Sequence, residues 1–303
     1  MTLPAEADVF ALPPRRSAPR ALVAALRPRQ WSKNLLVLAG IVFAAKLGDA
    51  ARWVEALAAF AAYCAASSAA YLVNDVRDAP DDRLHPVKRR RPVACGEISP
   101  RTALVAAVAL AALSVALAAA LGPASLACLG AFALLQLAYT LSLKHVVLVD
   151  VIVIAGLFVL RATAGAVAVD VRISPWLLLC TGLLALFLAL GKRRGELVLV
   201  GAERTPGRAS LEGYSLALLD QLIAVVAAST IVAYAIYTFT ARDSKALMAT
   251  IPLVVFGVFR YLLLLHRDGA GEEPENVLLA DRPIMAAVAA WGATCAVLLA
   301  VYG

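Results

Sequence analysis

Nine apolar runs of nearly bilayer length divide this chain, at about 34–47, 54–73, 102–121, 124–143, 148–169, 174–191, 216–239, 247–265 and 284–302. A hydrocarbon core takes roughly twenty helical residues to cross. Lipid offers no partner to backbone N–H and C=O groups, so each spanning run must be helical. With 62% of its 303 residues hydrophobic and 16% charged, the chain is too apolar for a soluble domain of this length. The expected fold is an all-α integral membrane protein with nine transmembrane helices. The first run is the shortest and recruits Trp31 and its neighbours as an interfacial start. "LGPASL" leaves a single Gly-Pro turn between the third and fourth runs, as a tight helical hairpin requires.

Orientation follows from the cations. With the N-terminus inside, 21 of the 28 Lys and Arg fall in the first 33 residues and in alternate loops. The opposite loops hold Lys46, Arg52, Arg172, Arg242 and Lys245, while Arg161 and Arg260 lie inside runs. That bias places loops 74–101 and 192–215 in the cytoplasm. The net charge of +7 is thus mostly a topology signal, and no nucleic-acid partner is needed to explain it. Residues 1–26, rich in Pro, Ala and Arg, read as a flexible cytoplasmic tail ahead of a single membrane domain over 27–303. They lack the apolar region of a signal peptide, so no processing is expected. Within them, "RALVAALRPRQW" begins a segment that also suits a short basic helix along the membrane surface. The five cysteines have no paired spacing and read as small core residues.

The densest charge follows the second run. "YLVNDVRDAPDDRLHPVKRRRP", residues 71–92, holds four Asp and six Lys or Arg. Asp75, Asp78 and Asp82 stand at i, i+3 and i+7, so a helix puts them on one face, with Asn74 at its edge. Like charges at that spacing repel unless a cation sits among them, and hard carboxylate oxygens suit Mg2+. Pro80 has no N–H for the Val76 carbonyl, so the helix is expected to kink or open there. Lys88, Arg89, Arg90 and Arg91 suit phosphate oxygens, although topology alone also accounts for them. Topology does not account for the acidic trio. His85 is the only histidine near these carboxylates. A second charged segment, "LGKRRGEL", is dominated by Lys192, Arg193 and Arg194, with Glu196 placed to pair with Lys192 at i, i+4. Arg161, near mid-membrane, needs a wet cavity or a partner such as Asp150. Tyr214 and Asp220 open the seventh run, where a tyrosine reads as an interface anchor.

"NDVRDAPDD" matches the NDxxDxxxD signature of the UbiA superfamily of intramembrane prenyltransferases, and "HPVKRRRPVACGEIS" is similar to that family's continuation. The resemblance covers the chain beyond the tail. It implies a nine-helix UbiA-type bundle with a central cavity facing the cytoplasm of a bacterial inner membrane. There Asn74, Asp75, Asp78 and Asp82 would bind Mg2+ that holds a diphosphate. Prenyltransferases carry a second acidic motif after the sixth helix, where this chain is basic. That pattern, with "RPRQWSKN" and "YTLSLKHVVLVD", resembles the branch that moves phosphoribose from phosphoribosyl pyrophosphate to a polyprenyl phosphate, a step towards cell-wall arabinan. By this resemblance Asp75, Asp78 and Asp82 are catalytic. Lys33, Arg77, Lys88, Arg91, Tyr139, Lys144, Asp150, Arg161, Lys192, Arg193 and Arg194 are expected to line the substrates. An anionic lipid phosphate attacking C1 opposite the leaving pyrophosphate needs no general base and inverts the centre.

Two rivals remain: prenyl transfer to an aromatic acceptor, and a lipid or ion transporter. Transporters usually carry their coupling charges near mid-membrane, whereas these carboxylates sit at the end of a run. Acceptor length and any homo-oligomer stay open. Orientation is directly testable: a cysteine at position 90 should resist an impermeant maleimide in intact cells, and one at position 244 should react. Labelling of position 90 from outside would reverse the topology.

Overall fold

The computed structural model describes residues 16–43, 48–84, 88–172, 174–200, 209–240, 244–267, 277 and 280–302; Lys46, His85 and Arg242 lie outside them. Every regular element among the described residues is helical. In chain order these are α1 (Ala18–Leu26), a 3-10 helix (Pro28–Leu38), α2 (Ala39–Phe43), α3 (Ala50–Arg77), α4 (Ala79–Leu84), α5 (Pro100–Ala120) and α6 (Pro123–Leu141). Then come α7 (Val149–Ala168), α8 (Pro175–Val200), α9 (Leu216–Thr240), α10 (Ile251–Arg267) and α11 (Arg282–Tyr302). Seven described helices are long and apolar enough to cross a membrane: α3, α5, α6, α7, α9, the Ala246–Arg267 segment that contains α10, and Arg282–Val301 of α11. The chain is an all-helical integral membrane protein.

Two of the nine expected runs take a different form. The described part of the first is a 3-10 helix followed by the five-residue α2, where a single α-helix was expected. Here the Val37 carbonyl presses against Gly165 of α7, and Gly40 packs on Ala166. The sixth run extends as α8 to Val200, so Lys192, Arg193 and Arg194 lie inside a helix and not in the loop after it. The hairpin at "LGPASL" has the expected form. Only Leu121 and Gly122 separate α5 from α6, Pro123 occupies the first turn of α6, and Gly122 takes a φ of 111° that L side chains rarely adopt.

The chain forms two compact units. One comprises Met1–Ser32 and Ala61–Leu117. Its core joins Ala21 and Ala25 of α1 to Ala69 and Leu72 of α3 and to Ala103 and Ala107 of α5. Residues 18–26, expected in a flexible tail, are therefore a packed helix. The physical reason is the i, i+4 alanine pair, which offers a flat apolar face flanked by Leu22 and Leu26. Arg16 fastens its start, with the backbone N–H and the guanidinium both donating to Glu97.

The other unit comprises Lys33–Phe60 and Ala118–Gly303. Its core gathers Val151, Phe187, Leu190, Leu219, Ile223, Tyr261, Leu265 and Ile284 from α7 to α11. Helix α7 is its inner element: 56% of its most apolar window is buried, against 17% for α6, whose apolar side chains remain for lipid. A helix so enclosed can carry charge only where partners meet it. The contact with Val37 holds α7 from one side, and a Cβ built on Gly165 would lie 1.8 Å from the Val37 carbonyl oxygen. Backbone cannot rotate away as a side chain does. Gly165→Ala should therefore destabilise by about 1–3 kcal/mol or more, read as a lower unfolding midpoint of the detergent-solubilised protein. A wild-type midpoint would show that this contact is not tight.

Candidate active site

The acidic cluster forms where α3 gives way to α4. Helical hydrogen bonding continues through the break, with Asp78 N–H donating to the Asn74 carbonyl (2.8 Å) and Asp82 N–H to that of Asp78 (2.9 Å). The interruption at Asp78 is the break expected from Pro80, which has no N–H to offer the Val76 carbonyl. Asn74 Nδ2 donates to Asp78 Oδ2 at 2.8 Å. Asp75 and Asp82 point inward, and Asp75 is 1% exposed. Buried carboxylates need compensation. Arg91 supplies it to both, donating through Nη1 to Asp82 Oδ2 at 2.7 Å and to Asp75 Oδ1 at 3.3 Å. A second guanidinium reaches the same oxygen: Arg27 Nη2 donates to Asp75 Oδ1 at 2.5 Å. Asp75 Oδ2 is buried, and no described group donates to it.

Among the described residues, no three His, Cys, Asp or Glu side chains converge as ligands of one ion. The donor chemistry nonetheless fits a hard divalent cation. Carboxylates and an amide share one turn, and the buried, unpartnered Asp75 Oδ2 is an oxygen that a cation would satisfy. Arg77 and Lys88, expected to line the substrates, are exposed.

The second unit carries a different network. Asp150, in the first turn of α7, and Arg193 of α8 are 0% and 1% exposed. Arg193 Nε lies 3.3 Å from Asp150 Oδ2, an ion pair without hydrogen-bond alignment, and Nη1 donates to Glu196. Tyr214 completes the set. Its hydroxyl accepts from Leu148 N–H (2.8 Å) and donates to Asp150 Oδ1 (2.8 Å). Burial, with the bond to Asp150, pushes the Tyr214 hydroxyl well above its ordinary range, so it stays a donor at any physiological pH. Leu148 holds a φ of 66° as it presents its N–H. Ser210 Oγ donates to the Lys144 carbonyl at 3.0 Å, fixing the same stretch. Arg194 turns elsewhere, to Asp220 Oδ1 at 2.6 Å and the Leu265 carbonyl at 3.1 Å.

Several of the expected residues are met by partners inside the fold. Asp150 and Arg193, both expected to line a substrate, are buried against each other, as a charge buried in a helix core is stable only against its counter-charge. Arg194 is tied to α9 and α10. Tyr214 is a buried hub and not an interface anchor. Glu196 does pair within α8, and with Arg193. Arg161 is met by Asn34, whose Oδ1 accepts from its Nε at 2.8 Å; Nη1 donates to the Leu157 carbonyl, and the guanidinium lies 4.7 Å from the Phe132 ring centroid. Lys33, Tyr139, Lys144 and Lys192 are half-buried. Sequence reasoning missed Arg27 and Asn34, although both lie in "RPRQWSKN", the segment already singled out. Arg193→Gln should leave Asp150 as an uncompensated buried charge and cost about 3–5 kcal/mol. The expected readout is a lower unfolding midpoint with little change in kcat/KM per folded molecule; an unchanged midpoint would show that Asp150 does not need this partner.

The family model described as the UbiA prenyltransferase family matches residues 35–273. Decaprenyl-phosphate phosphoribosyltransferase of Mycobacterium tuberculosis (strain ATCC 25618 / H37Rv) is 37% identical over 295 residues, covering 95% of this chain and 96% of that protein. Its counterpart in Mycolicibacterium smegmatis is 35% identical over 303 residues, with 94% of each chain covered. In fold the chain is similar to a UbiA homolog from Archaeoglobus fulgidus solved with GPP and Mg2+, with a TM-score of 0.69 at 21% identity over 92% of this chain and 99% of that one. The chain belongs to the UbiA prenyltransferase family.

Proposed function

We propose that this protein transfers 5-phosphoribose from phosphoribosyl pyrophosphate to a polyprenyl phosphate of the decaprenyl class, releasing pyrophosphate. The observation that carries this reading is the identity of 35–37% with decaprenyl-phosphate phosphoribosyltransferases over nearly the whole of both chains. The product would serve the synthesis of lipid-linked arabinose for cell-wall arabinan. The chain would sit in a bacterial cytoplasmic membrane as nine helices, counting α8 and the 28–43 segment, with its charged loops in the cytoplasm.

The chemistry follows from the two kinds of charged side chain. Asp75, Asp78 and Asp82, with Asn74, would hold Mg2+, which neutralises the negative charge that builds on a departing pyrophosphate. Arg91, already bound to two of these carboxylates, would add positive charge beside them, and the exposed Arg77 and Lys88 would supply further cations from the same segment. In the second unit, Lys33, Lys144 and Lys192 are compact point charges suited to phosphate, and the Tyr139 hydroxyl is a neutral donor. The C1–O bond to pyrophosphate breaks as the C1–O bond to the lipid phosphate forms. The nucleophile is anionic from the start, so no residue has to remove a proton. Positioning and charge stabilisation are what the protein contributes.

Purified protein supplied with Mg2+ and decaprenyl phosphate should convert labelled phosphoribosyl pyrophosphate to a lipid-extractable product. With labelled prenyl diphosphate and an aromatic acceptor it should make none. Lys192→Gln should lower kcat/KM by roughly ten- to a hundredfold, the loss of one charge-assisted hydrogen bond, with stability nearly unchanged. Prenyl transfer without phosphoribosyl transfer would reverse the assignment, and an unaltered kcat/KM would remove Lys192 from the site.

A further inference from the structure

The connection between α1 and the 3-10 helix contains a residue in a conformation its side chain does not favour. Arg27 caps α1 in the left-handed region, with φ 54° and ψ 59°, and its N–H closes the last turn on the Ala24 carbonyl. Helices that end this way usually place glycine there, because an L side chain crowds its own backbone. An arginine held in that conformation points to a task for the side chain. The guanidinium packs over the Tyr71 ring, 4.7 Å from its centroid, and donates to Asp75 Oδ1.

We infer that Arg27 is a positioning residue for the metal, a reading that rests on Asp75 being a metal ligand. The last torsion of an aspartate is broad and nearly two-fold, so an unrestrained carboxylate presents either oxygen. In Asp75 the two oxygens differ. Arg27 and Arg91 both donate to Oδ1, whereas Oδ2 is buried and receives no donor from the described residues. The arrangement spends one oxygen on guanidinium and keeps the other for a cation. Arg91 divides its guanidinium between Asp75 and Asp82, so its hold on Asp75 is shared with a second carboxylate. Arg27 is anchored by the end of α1 and the Tyr71 ring, and it holds Oδ1 independently of Asp82. Partners that orient a ligating group in this way typically set metal affinity within 10- to 100-fold.

The test separates the shape of the turn from the charge it presents. Mn2+ binding to the full-length protein in nanodiscs is measured by electron paramagnetic resonance for wild type, Arg27→Gly and Asp75→Asn. Glycine suits the left-handed turn better than arginine does, so a purely conformational role predicts wild-type Mn2+ affinity in Arg27→Gly. The inference predicts affinity weaker by about 10- to 100-fold despite the relaxed turn. Wild-type affinity in Arg27→Gly, while Asp75→Asn loses the ion, overturns the role of Arg27 and leaves the metal reading standing. Undiminished affinity in Asp75→Asn overturns the metal reading itself, and the inference with it. Should Arg27→Gly fail to insert, Arg27→Lys takes its place: lysine keeps the charge but offers a point donor on a shorter reach, and an unchanged affinity there is again the overturning result.

Discussion

A guanidinium set against a buried carboxylate is the interaction on which each unit depends. Transfer of an ionised group from water into a protein interior costs several kcal/mol even after relaxation, and the attraction of its partner has to recover that cost. In the first unit Asp75 and Asp82 are enclosed, and Arg27 and Arg91 meet them. In the second, Asp150 is enclosed and Arg193 meets it. Replacing such pairs by well-packed apolar residues is often neutral or stabilising. In a chain already 62% hydrophobic, apolar substitutes would be readily accommodated. Their placement is better explained by what they position than by net stability. One pair fixes carboxylates at the break between α3 and α4. The other joins the start of α7 to the cationic turn of α8.

Much of the fold is legible because lipid imposes one rule everywhere. A run of about twenty apolar residues must be a helix, and it needs no knowledge of its neighbours to be one. Breaks are legible for the same local reason: Pro80 removes a donor, and Gly122 supplies a positive φ. The acidic trio is legible because helical spacing is short-range. The first run misled because its course depends on Gly165, a residue far along the chain that lets the Val37 carbonyl approach α7. Partnerships are hidden for a similar reason. Arg27 and Asp75 are 48 residues apart, Tyr214 and Asp150 64, and Asn34 and Arg161 127. Periodicity within a helix reaches one turn, so it flags Arg161 as a charge in need of a partner and is silent on Asn34.

The Lys192, Arg193, Arg194 triplet shows how one unplaced helix end changes a site. In a loop, three adjacent cations can turn to the same phosphate. In a helix, consecutive side chains are about 100° apart, so three neighbours face three directions. Because α8 continues to Val200, the triplet is divided. Arg193 faces α7 and closes on Asp150, and Arg194 faces α9 and α10, reaching Asp220 and the Leu265 carbonyl. Lys192 is half-buried. A basic motif that reads as one patch in the sequence is thus spread over several directions of one helix.

On the proposed function, that division alters how phosphate recognition would be built. A contiguous arginine patch would carry its own geometry. Single lysines from separate elements do not, and a lysine on a four-carbon stem has little geometry of its own to offer. Lys33 lies in the 3-10 helix, Lys144 between α6 and α7, and Lys192 on α8. Their relative placement is therefore only as good as the contacts that hold those elements. Each of those elements is pinned by a specific contact. The Gly165–Val37 approach and the Asn34–Arg161 bond hold the 3-10 helix to α7, Ser210 and Tyr214 hold the stretch around Lys144 and Leu148, and Asp150–Arg193 holds α8 to α7. All three lysines are thereby referred to one helix, and α7 is the most enclosed helix of their unit. The buried charges of α7 are then a frame for cations that it does not itself carry.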